Sequence, residues 1–72
     1  MTNNELIRRF EKLISKMKPY TPYSIGKNKV LSIGDIQRWI AYLNNQNPHA
    51  ILMKDLAMRQ ANIVWKQVKN DQ

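Results

Sequence analysis

The sequence predicts a mainly α, compact three-helix domain with a basic loop or short β-hairpin between helices 1 and 2. Three observations predict it. Apolar residues recur at helical spacing in three separate stretches, each opened by a helix-start signal. Between the first two stretches, the prolines at 19 and 22 and the Gly26–Asn28 turn interrupt that rhythm. The chain is 72 residues long with 43% hydrophobic content and no cysteine, so packing has to hold it together without disulfides.

The first helix opens at Thr2, followed three residues later by Glu5, the pattern of a capping box. Leu6, Ile7, Phe10, Leu13, Ile14 and Met17 then form one stripe that must face a core. Arg8, Arg9, Lys12 and Lys16 occupy the flanks and outer face, and Glu5 is spaced to pair with Arg9. Pro19 ends this helix, because it lacks an N–H and disfavours the helical conformation at Lys18.

Residues 18–31 form the irregular middle. Lys18 to Tyr23 reads as extended, and Ile25 to Leu31 offers two short apolar arms around a Gly/Asn turn. A second capping box, Ser32 with Asp35, starts a helix over 33–44 carrying Ile36, Trp39, Ile40 and Leu43. Asn44-Asn45 suits a left-handed C-terminal cap. Asn47-Pro48 opens the last helix, expected to run to Lys69. Met53, Leu56, Ala57, Ala61, Val64 and Val68 form its core stripe, widened by Leu52, Ile63 and Trp65. Asp55 and Arg59 are spaced as an ion pair. Residues 1–72 read as a single small helical domain, with Asn70 to Gln72 expected to fray.

Charge is the main functional signal. Twelve Lys+Arg face five Asp+Glu, a net +7, and no acid falls between Glu11 and Asp35. A field of that sign on so small a domain draws in polyanions. The expected function is non-catalytic nucleic-acid binding, DNA before RNA, dominated by phosphate contacts. The candidate contact residues are Arg8, Arg9, Lys12, Lys16, Lys27 and Lys29, with Arg59, Lys66 and Lys69 as a second patch. Tyr20 and Tyr23 are candidate base stackers. A helix-turn-helix over helices 2 and 3 would put Asn45 at the left-handed turn position and bury Ile40 and Ile51. Against that motif, Asn44, Gln46 and Lys54 fall where it wants apolar residues.

The alternative class is a small adaptor or inhibitor that binds an acidic surface of a partner protein. Its candidate interface is Ile51, Leu52, Met53 and Met58, which also suits a homodimer. No enzyme is expected. The single histidine, His49, sits at a helix start, the acids are committed to caps and helix pairs, and no phosphate-binding glycine loop is present. No cofactor or metal is expected either, since cysteine is absent and one histidine builds no site. No apolar run is long enough for a membrane span, and no secretory leader is visible. A cytoplasmic location is the expectation. Lys, Asn and Ile, at eight each, have A/T-rich codons, as in phages and plasmids of low-GC bacteria.

Overall fold

In the computed structural model, which describes residues 2–70, α1 spans Asn3–Lys16. Thr2 caps it: the Glu5 backbone N–H donates to the Thr2 hydroxyl oxygen at 3.2 Å. The helix stops at Met17, whose extended backbone (ψ 146°) turns the chain away, while its N–H still bonds the Leu13 and Ile14 carbonyls. Leu6, Ile7, Phe10, Leu13 and Met17 are buried, and Ile14 is partly covered.

The middle segment forms a hairpin. β1 (Tyr23–Gly26) pairs antiparallel with β2 (Lys29–Leu31), with Tyr23 opposite Leu31, Ser24 opposite Val30 and Gly26 opposite Lys29. Ile25 is left as a bulge in this register. Asn28 makes the turn in the left-handed region, at φ 62°, which asparagine tolerates better than most residues. The pleat puts Tyr23 and Leu31 on one face, and both are buried in the core. Gln67 of the last helix donates to the Ser24 carbonyl and ties the hairpin down.

Helix α2 spans Ile33–Asn44, behind a capping box in which the Ser32 N–H donates to the Asp35 carboxylate at 3.0 Å. Ile36 and Leu43 are its buried residues. Its C-terminus differs from expectation. The left-handed residue is Gln46 (φ 53°), not Asn44 or Asn45. The Asn47 N–H bonds the Tyr42 carbonyl at 2.9 Å and the Gln46 N–H bonds the Leu43 carbonyl at 3.2 Å, the two bonds of a Schellman motif. Asn47 is held next to this turn as the cap of the following helix, its Oδ1 accepting from the His49 N–H at 2.9 Å.

Helix α3 spans Pro48–Asn70 and is about 33 Å long, matching the 32 Å long axis of the molecule. Ala50, Ala57, Ala61, Val64 and Val68 are its buried residues. Leu56, expected in the core, is 47% exposed, and Leu52 and Ile63 are exposed as well. The small residues of α3 pack in the same core as Phe10 and Leu13 of α1, and its larger apolar residues turn outward. Neither expected helix pair forms. Among the described residues the only ion pair is Arg38 with Asp35, at 3.4 Å.

Candidate nucleic-acid interface

The cationic candidates are all exposed, but the fold divides them into three groups. Arg9, Lys12 and Lys16 lie at i, i+3 and i+7 along one edge of α1. Asn62, Trp65 and Lys69 lie at the same spacing along one edge of α3. These two edges face each other across an open groove. Its upper hollow, about 230 Å³, is bordered by Arg9, Lys12, Asn62 and Trp65 over an apolar floor. Its lower hollow, about 280 Å³, is bordered by Lys12, Lys16, Trp65 and Lys69, with Val68 beneath. Lys12 and Trp65 border both hollows.

Among the described residues no acid lines either hollow. Glu5 precedes Arg9 by one turn on the same edge of α1, yet forms no ion pair with it, so the Arg9 guanidinium stays available. The Lys12 ammonium lies 5.9 Å from the centre of the Trp65 ring, a cation–π contact. Trp65 is only partly buried and packs against the core. The four cations of the groove therefore meet no carboxylate among the described residues and sit beside the half-buried Trp65 ring.

The second group, Lys27 and Lys29, lies on the hairpin and borders neither hollow. The third, Arg59 and Lys66, lies on the solvent side of α3 beyond Asn62, with Arg8 on the outer side of α1. The two tyrosines part company. Tyr20 is 99% exposed and left-handed, at φ 60°, whereas Tyr23 is buried, its hydroxyl oxygen accepting the Lys18 N–H at 2.9 Å. Tyr23 thus has no free face for a base and belongs to the core, because the strand pleat aims it there.

Two requirements of a helix-turn-helix are not met as expected: Ile51 is 54% exposed, and the left-handed turn residue is Gln46 and not Asn45. Of the candidate partner residues, Ile51 and Leu52 are exposed. Met53 and Met58 are partly covered, Met58 lining the upper hollow. Sequence reasoning assigned Trp65 to the core and gave Asn62 no place in a site. Their spacing with Lys69, one step beside the buried stripe, was the available signal. Among the described residues no three His, Cys, Asp or Glu side chains converge as metal ligands, and no helix is long and apolar enough to cross a membrane. No protein-family model matches the chain, and neither a curated protein nor a solved structure matches it.

Proposed function

We propose that this protein binds nucleic acid without catalysis, holding a DNA phosphate backbone in the groove between α1 and α3. One observation carries the reading: Arg9, Lys12, Lys16 and Lys69 line a single groove that no acid among the described residues lines. Cations so arranged release condensed counterions when they replace them on a phosphate chain, and that release supplies affinity without reference to sequence. The experiment is a fluorescence-anisotropy titration of a DNA oligonucleotide at 50 and 200 mM salt. Binding that weakens between the two but persists at the higher salt supports the reading. Loss of all binding at 200 mM, or an affinity indifferent to salt, refutes it.

A second reading has its own observation. Leu52, Leu56 and Ile63 are exposed at i, i+4 and i+11, one stripe along α3, with Arg59 and Lys66 on its margin. An adaptor or inhibitor that grips an acidic protein surface would use that stripe, with the two cations at its rim. Its discriminating result is partner capture that fails in the double variant Leu52→Ser, Ile63→Ser and survives Lys16→Gln.

A further inference from the structure

We infer that the groove is built for single-stranded nucleic acid, with one unpaired base seated against Trp65 and its phosphates among Lys12, Lys16 and Lys69. The inference rests on the reading that the groove holds phosphates, and it names the form of the strand.

The groove is divided as a nucleotide is. The upper hollow has an apolar floor, with half-buried Met58 beside Leu6, Phe10, Leu13 and Ala61, and carries Arg9 and Lys12 at its rim. The lower hollow is bordered by three ammonium groups and suits a phosphate. Trp65 stands between the two, bordering both. A base over the indole would leave its own phosphate next to the lysines. Asn62, at the rim of the upper hollow, carries an amide that can both donate to and accept from a base edge.

Duplex DNA cannot use this arrangement as it stands. Its bases are stacked inside the helix, and extruding one costs a few kcal/mol, whereas a single strand presents its bases already free. The Lys12 ammonium now covers the Trp65 ring. An incoming base would take its place over the indole, and the flexible lysine would follow the phosphate. One favourable contact of Lys12 is thereby exchanged for another.

The test uses the intact protein with four 10-nucleotide probes at 100 mM salt: oligothymidylate, oligouridylate, an abasic deoxyribose-phosphate chain and a duplex. The abasic chain has the same phosphates and no bases. Either pyrimidine strand should bind roughly five- to a hundredfold tighter than the abasic chain, and the tighter of the two identifies DNA or RNA as the source. Tryptophan fluorescence should change on binding in the wild type and in Trp39→Phe. In Trp65→Leu, affinity for the pyrimidine strands should fall to the abasic level. Should that variant unfold, the probe comparison on the wild-type protein decides alone. A duplex that binds as tightly as the pyrimidine strands, or equal, strongly salt-dependent binding of abasic and pyrimidine chains, overturns the base seat and leaves the phosphate groove standing. Absence of binding to all four overturns both.

Discussion

Neutralising Lys16 and Lys69 together should flatten the salt dependence of DNA binding by half. The groove holds four cations, Arg9, Lys12, Lys16 and Lys69. On a single strand each neutralised phosphate contributes about 0.7 to the log–log salt slope, so four give a slope near −2.8. Between 50 and 200 mM salt that slope lowers affinity about 50-fold, whereas two remaining contacts lower it only about 7-fold. The double variant Lys16→Gln, Lys69→Gln should therefore bind more weakly at 50 mM and lose less on going to 200 mM. Both side chains are exposed in the last turns of their helices, so each removal costs only about 0.3–1 kcal/mol of helix-dipole stabilisation. Circular dichroism checks that the fold persists. The control is Lys27→Gln, Lys29→Gln, which removes equal charge from the hairpin. Anisotropy titrations at four salt concentrations give the slopes. If the hairpin pair flattens the slope as much as the groove pair, the phosphates are not held in the groove and the reasoning fails.

Three predictions concern stability. Ile36 is 0% exposed, so Ile36→Ala should cost about 2–5 kcal/mol, comparable to the roughly 3–5 kcal/mol that a core of this size supplies. That variant should be largely unfolded at 25 °C by circular dichroism, while Ile36→Val should fold with a lower Tm. Tyr23→Phe removes the acceptor of the Lys18 N–H and should cost about 0.5–1.5 kcal/mol in urea denaturation. A change smaller than a few tenths would mean that water replaces the hydroxyl. Gln46→Gly should stabilise, because glutamine at φ 53° pays the left-handed penalty of about 1–2 kcal/mol, partly offset by the greater unfolded freedom of glycine. The expected gain is about 0.5–1 kcal/mol, read as a rise of a few degrees in Tm.

Which parts of the fold were legible depends on how local their cause is. Helix α2 begins and ends where its capping box and apolar spacing place it, since Ser32 and Asp35 settle their own hydrogen bonds within three residues. The hairpin was readable as one of two outcomes, and its pleat then decided Tyr23 against the solvent. The left-handed cap moved from Asn45 to Gln46 because two helices share that turn, and the capping role of Asn47 fixes which residue must reverse the chain. The core face of α3 was legible in part: Ala57, Ala61, Val64 and Val68 are buried as expected, while Leu52, Leu56 and Ile63 are exposed. Apolar residues ring much of this helix, so periodicity offers more than one stripe, and packing against the other elements decides which is buried. The groove cations were each visible in the sequence, but their pairing was not, because it depends on how two distant helices are offset.

That pairing also depends on direction. Arg9, Lys12 and Lys16 each immediately precede a buried residue of α1: Phe10, Leu13 and Met17. Asn62, Trp65 and Lys69 each immediately follow a buried residue of α3: Ala61, Val64 and Val68. One step along a helix turns by about 100°, so the two sets flank their core stripes on opposite hands. Opposite-handed flanks meet on one side of a helix pair only if the helices run the same way. They do: Leu6 and Arg9 share the upper hollow with Met58 and Ala61, while Lys16 shares the lower with Val68 and Lys69. Had α3 packed antiparallel on the same stripe, the α1 cations would have faced Gln60, Ile63 and Gln67, which carry no charge and no tryptophan. Residues 17–47 return the chain to the starting end of α1 before α3 begins. Their contribution to the groove is therefore topological: the hairpin and α2 supply no cation to it, yet the return they make brings Lys69 and Trp65 opposite Lys12 and Lys16.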